Sequence, residues 1–350
     1  MQPDFQLAWH DGDDYPEWGS RPRRPLVRFD GAHQGEWMDS VIGPNVETGT
    51  PMVYHIVRCE YCIACHVWPL PEPAALARYY AEQFFQVDKP DYVARYEADR
   101  RWWTACVYTP IFQQCKEWLR LDCPKEDQTR CLDIGAGPGI ALDVARRRFG
   151  WETWGIEPNG SRCEALRARD HQMVCGTLET IEPEDLRAFS GELFHVVMLY
   201  ETLEHQVCPE ETLLRVWDLL EPDGMVVVVV PSDWNTLQLE ACKKLGLPHW
   251  WISPPQHLWY FSPATLKLLL RRTGFQILDC RSTFPLEKFL LEGRCYVGND
   301  AIGRTCHTDR MAYELEAVRT GRWSQLEQTY RMNMTQRIGR ELVFLGRKIG

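Results

Sequence analysis

Residues 131–139 read CLDIGAGPG, and residues 155–158 read GIEP. A short apolar run reaches Asp133, glycines follow at Gly135, Gly137 and Gly139, and a helical stretch runs on to Phe149. Glycine has no β-carbon, so a strand-to-helix turn built this way lets backbone approach a ligand closely. TWGIE at 153–157 predicts the next strand, ending at Glu157, where a carboxylate can accept two ribose hydroxyls. The same alternation continues outward. NGSRCEALRARD predicts a helix capped by Asn159 or Ser161, followed by an MVC strand, the strand LFHVVMLY and a helix near 210–220. MVVVVV after a PDG turn, the helix SPATLKLLLRRTGF, the strand FQILDC and a last strand ELVFLG at 341–346 complete the series. Near-continuous apolar strands alternating with helices predict an α/β fold with a parallel sheet covered on both faces.

Two cofactors use such a turn. A dinucleotide turn needs a third glycine one residue later, but position 140 is Ile. Its pyrophosphate also needs a helix N-terminus. S-adenosylmethionine carries no phosphate. Its amino-acid tail lies over the glycines, and the acid of LDIG faces its ammonium. The pattern favours S-adenosylmethionine over a dinucleotide and over an ordinary glycine turn.

Residues 130–280 resemble class I S-adenosylmethionine-dependent methyltransferases of the ubiquinone-biosynthesis O-methyltransferase type. The matching pieces are LDIGAGPG, GIEPN, FHVVMLYETLEH, LEPDGMVVVVVP and HLWYFSPATLKLLLRRTGF. The resemblance implies a Rossmann-like, seven-stranded methyltransferase sheet. It implies Asp133, Gly135, Ala136, Gly137, Gly139, Glu157, Pro158 and Tyr200 as cofactor contacts, with Leu178 and Glu179 flanking the adenine. The wider chain resembles bacterial methyltransferases with an N-terminal Cys-x-x-Cys hairpin, which implies no defined substrate.

LYETLEHQV at 199–207 places Glu201, Glu204 and His205 just after a strand, at the sheet edge where α/β proteins bind ligands. If a helix begins near 201, these three share one face. His257, in PPQHLWYF, should return to the same edge. Two carboxylates and two imidazoles make a candidate Mg²⁺ or Mn²⁺ site. Plant small-RNA 2′-O-methyltransferases resemble this segment and bind a divalent cation. Such an ion would activate an acceptor hydroxyl; without it, His205 or His257 is the general-base candidate.

Cys59-x-x-Cys62-x-x-Cys65-His66 is half of a zinc site by spacing, with His55 or His33 as a further ligand; the other reading is a degenerate hairpin held by apolar packing. The chain divides into a Trp-rich irregular arm at 1–52, the Cys hairpin and lid helices at 53–125, and a cofactor-binding core at 126–281. A substrate-side insert at 282–338 and a final core strand at 339–350 follow. Trp102–Trp103 and the insert are expected to wall the acceptor pocket.

The 350 residues carry 39 Lys and Arg against 49 Asp and Glu, a net charge of −10, with no basic run. That argues against a protein held to nucleic acid by phosphate neutralisation. The apolar run 225–230 is too short to span a bilayer, and no secretory signal is visible. The 14 Cys then read as reduced thiols of a cytoplasmic protein. The expected function is methyl transfer to a small-molecule acceptor, on a hydroxyl oxygen, with an RNA 2′-O-methyltransferase as the alternative. The acceptor's identity and the oligomeric state stay open.

Overall fold

The computed structural model describes residues 6–9, 25–30, 33–62, 64–122 and 129–349. The strands, numbered along the chain, are β1 (Gln6–Trp9), β2 (Pro25–Asp30), β3 (His33–Pro44), β4 (Pro51–Cys59) and β5 (Cys65–Trp68), then β6 (Arg130–Ile134) and β7 (Glu152–Glu157). After them come β8 (Gln172–Cys175), β9 (Phe194–Tyr200), β10 (Leu220–Pro231), β11 (Trp259–Tyr260), β12 (Phe275–Ser282) and β13 (Glu341–Lys348).

Seven of these form one sheet in the order β12-β13-β10-β9-β6-β7-β8. Neighbours pair in parallel except around β13, which is antiparallel to both β10 and β12. This is the Rossmann-like, seven-stranded sheet expected of a class I methyltransferase. The run at 225–230 shows why its strands lack polar alternation. Val226, Val228 and Val230 enter one core cluster, while Met225, Val227 and Val229 enter the cluster on the other face. Helices cover both faces, so every position from 224 to 231 is buried.

The remaining strands form a second, antiparallel sheet, β1-β2-β3-β4-β5-β11. Here the expectation of an irregular arm over 1–52 is corrected. Residues 33–44 form a full strand pairing with β4, and 25–30 form another. A register shift between Trp37 and Asp39 breaks the side-chain alternation, which hides the strand in the sequence. Residues 6–9 add β1, while 1–5, 10–24, 31 and 32 of the arm lie outside the described residues. β11, from the chain segment between β10 and β12, closes this second sheet. Trp259 and Tyr260 pair with His66 and Cys65, two residues beyond His257.

Between β12 and β13, residues 300–319 and 323–336 are helices. The first is held to β13 and to the lid helices by buried polar links. Arg310 binds Glu341 at 3.0 Å, and Trp102 Nε1 donates to Glu314 at 2.5 Å. No helix among the described residues is long and apolar enough to cross a membrane.

Candidate active site

A cleft of about 890 Å³, its open mouth included, lies at the carboxyl edge of β6, β7 and β9. Asp133, Gly135, Ala136, Gly137, Glu157, Pro158, Leu178, Tyr200, Glu201 and His205 all line it. The glycine turn is shaped for this. Gly135 has φ +79°, and a β-carbon there would stand 2.5 Å from Thr202 Oγ1. Its N–H and that of Ala136 donate to Ile156 O, which fastens the turn to β7. Gly137 N–H donates to Glu157 Oε2 at 2.8 Å, and Asn159 N–H to Glu157 Oε1 at 3.0 Å. Burial pushes the Asp133 carboxyl up to about 7, helped by the charge of Glu157, and burial lifts Glu157 to about 7 as well. Buried carboxylates of this kind favour a ligand bringing cationic and hydroxyl donors, as S-adenosylmethionine does.

Two cofactor candidates fall outside the cleft. Gly139 starts the helix Ile140–Phe149 at φ +71°, and a β-carbon there would lie 2.1 Å from Leu166 Cδ2. Its small size serves packing against the next helix. Glu179 turns away and accepts the N–H groups of Val207 and Cys208 at 2.8 and 3.1 Å, anchoring the loop after His205.

Glu201, Glu204 and His205 do not share a helical face. Glu201 N–H still pairs with Val229 O, and Glu201 then takes φ +48° before one tight turn at Leu203–His205. The side chains therefore separate. Glu201 Oε2 accepts Tyr96 OH at 3.1 Å, on the aromatic side of the cleft. Glu204, His205 and His257 instead converge, each offering a ligand atom within 4.8 Å of the others. The His205 and His257 rings lie 5.0 Å apart. Leu258 N–H donates to Glu204 O, which fixes the two segments together. His205 Nδ1 lies 2.5 Å from Gln256 O, and its Nε2 lies 3.7 Å from Glu204 Oε1. Both Glu204 oxygens and His257 Nδ1 are buried without a hydrogen-bond partner. Burial drives Glu204 well up, His205 down to about 4, and His257 well below its ordinary value. Neutral imidazoles around an orphaned carboxylate are a fitting donor set for a divalent cation.

The lid supplies residues that the sequence reading missed. Tyr80, Phe84, Phe85, Tyr92, Tyr96 and Tyr108 all line the cleft. Tyr92 and Tyr96 stack at 4.5 Å, and Tyr96 stacks on Trp103 at 4.6 Å. Their spacing of four was the available signal. Phe84 and Tyr108 sit on π-helical turns, Phe84–Asp88 and Trp103–Tyr108, which no periodicity announces. Trp102 and Trp103, expected in the substrate wall, are buried behind these rings.

In the hairpin, Cys59, Cys62 and His66 converge within the same 4.8 Å limit. Cys65 is not in that group. His55, four residues before Cys59 on β4, is not in the group and has Nδ1 2.8 Å from Ser40 Oγ, and the His33 side chain lies outside the described residues.

Residues 110–279 match the family model described as a methyltransferase domain. The chain is 28% identical over 159 residues to a ubiquinone biosynthesis O-methyltransferase of Rhodopseudomonas palustris, covering 43% of this chain and 59% of that protein. A protein of the same name from Bradyrhizobium diazoefficiens is 30% identical over 117 residues, covering 31% and 43%. The chain thus spans less than two thirds of the length of these relatives. Among solved structures, an S-adenosylmethionine-dependent methyltransferase from Archaeoglobus fulgidus aligns at 18% identity over 67% of this chain and 94% of its own, with a TM-score of 0.41. Residues 110–279 thus match a methyltransferase domain, and the strand order and glycine turn are those expected of a class I S-adenosylmethionine-dependent one.

Proposed function

We propose that the protein transfers a methyl group to a hydroxyl oxygen of a small-molecule acceptor, with a divalent cation held by Glu204, His205 and His257. The observation that carries the cation is Glu204, 1% exposed, with both oxygens unpartnered beside two neutral imidazoles. Two nitrogens and one oxygen suit Mn²⁺ or Zn²⁺ better than Mg²⁺.

S-adenosylmethionine supplies the sulfonium methyl when bound. Glu157, pre-oriented by two backbone N–H groups, holds the ribose hydroxyls, and Asp133 holds the ammonium. The aromatic lid excludes water from the sulfonium. A bound divalent cation supplies a Lewis acid that lowers the pKa of the acceptor hydroxyl. His205 keeps Nδ1 against Gln256 O, and its Nε2 lies beside Glu204. Tyr96 holds Glu201 at the rim.

The same reading includes zinc at Cys59, Cys62 and His66 as a structural ion beneath β11. It also includes a cytoplasmic setting. The test of the central claim is methyl transfer from labelled cofactor into a panel of vicinal diols. Activity should vanish on chelation and return with Mn²⁺. Chelator-insensitive activity with a pH profile rising through a histidine would replace the cation with a His base.

A further inference from the structure

Along the carboxyl edge of the sheet, beyond the proposed methyl-transfer site, the polar side chains continue in a row. The backbone fixes the row. Glu204 at the end of β9 is tied to the 257–261 segment, because Leu258 N–H donates to Glu204 O. Asp233, just past β10, donates its N–H to Phe261 O in that same segment. Ser232 N–H donates to Arg340 O, which sets Asp233 beside Arg340 at the start of β13. Arg340 N–H donates to Phe284 O, which brings in Glu287 from the insert. From β9 to β13 is two strand spacings, about 10 Å.

The carboxylates on this row are left short of hydrogen-bond partners. Asp233 is 2% exposed, and both its carboxylate oxygens are buried without a hydrogen-bond partner. Glu287 is fully buried, and its nearest charged contact is Arg340 Nη1 at 3.5 Å, beyond an ordinary hydrogen bond. The Tyr296 hydroxyl is likewise buried without a partner. Buried polar groups left open in this way cost free energy unless a ligand completes them.

We infer that Asp233, Glu287 and Arg340 form a distal subsite that binds a neutral, hydroxyl-rich group of the methyl acceptor, about 10 Å from the methyl-transfer edge. The inference rests on the proposed function for the role of that edge. Charge decides the ligand class. A carboxylate or phosphate would meet Arg340 but be repelled by Asp233 and Glu287. An ammonium would meet the two acids but be repelled by the adjacent guanidinium. Hydroxyls satisfy all of them, donating to the carboxylates and accepting from Arg340 and Tyr296. Asp233 with both oxygens open can take a vicinal pair.

The experiment is ligand-observed saturation-transfer NMR on the full chain loaded with S-adenosylhomocysteine. The probes are a methyl hexopyranoside, benzoate and benzylammonium. The hexopyranoside should bind, and Asp233→Leu should weaken it by about ten-fold or more. Glu287→Gln keeps the shape and removes the charge, so it guards against an unfolded first variant; it should weaken the same probe while S-adenosylhomocysteine still binds. Equal hexopyranoside binding in both variants, preference for benzoate or benzylammonium, or binding of no probe would each overturn the subsite. If wild-type protein fails to bind S-adenosylhomocysteine, the methyltransferase reading falls with it, so the two failures are told apart.

Discussion

The carboxylate of Glu157 accepts the N–H of Gly137 at 2.8 Å and thereby locks the end of β7 to the turn after β6. One residue at a strand end thus shapes the turn and presents an oxygen to the cleft. Glu157→Ala should remove both functions. Charge-assisted hydrogen bonds contribute about 1.5–3 kcal/mol each. Calorimetry with S-adenosylhomocysteine should show at least about ten-fold weaker binding. Unchanged affinity would remove Glu157 from the cofactor site.

Acidity supplies a second test. Burial first, and for Asp133 then the charge of Glu157, hold both carboxyls at about 7. A carboxyl raised in the fold stabilises the ligand-free protein below its unfolded value, and that contribution is lost as pH rises through the folded value. The ligand-free melting temperature should therefore fall between roughly pH 4 and pH 7. Binding of S-adenosylhomocysteine, whose ammonium favours ionised Asp133, should strengthen over the same window. Affinity that is flat with pH would show that the ammonium does not meet Asp133.

The core was legible in the sequence because its chemistry is local. Asp133, the glycines and Glu157 follow one another in a fixed rhythm, and the apolar run at 225–230 needs two covered faces. What escaped depends on backbone departures from regular periods. The bulge near Asp39 hid β3, the π-helical turns re-aimed Phe84 and Tyr108, and the left-handed φ of Glu201 split it from Glu204 and His205. The convergence of His205 with His257 was expected from the return of the chain to one sheet edge, although His257 leads into β11 of the second sheet. The unpartnered oxygens of Glu204 were not, since only the packed fold shows what fails to reach them.

Gly139 separates packing from binding. A β-carbon there meets Leu166 Cδ2 at 2.1 Å, on a backbone already at φ +71°. Gly139→Ala should destabilise the fold by about 2–3 kcal/mol, from overpacking plus the left-handed conformation. The fraction still folded should bind S-adenosylhomocysteine with wild-type affinity, measured below the shifted melting temperature. A selective loss of affinity at unchanged stability would return Gly139 to the cofactor site.

The hairpin offers the most direct metal measurement. Cys59, Cys62 and His66 lie within 4.8 Å of one another, and Cys62 N–H donates to Cys59 Sγ at 3.3 Å. The Cys62 side chain, opposed by burial and joined by His66, pulls the Cys59 thiol down to about 3, so it stands ready as a thiolate ligand. His66 Nδ1 lies 2.8 Å from Val67 O, which orients the ring. His66 also packs on Trp259 at 4.8 Å, in the strand two residues beyond His257. An ion here would therefore brace the segment that carries His257. Elemental analysis of protein purified without chelator should find about one zinc per chain, and Cys59→Ser should lower that content and the melting temperature. Zinc-free wild-type protein with an unshifted melting temperature after chelation would leave a hairpin held by apolar packing alone.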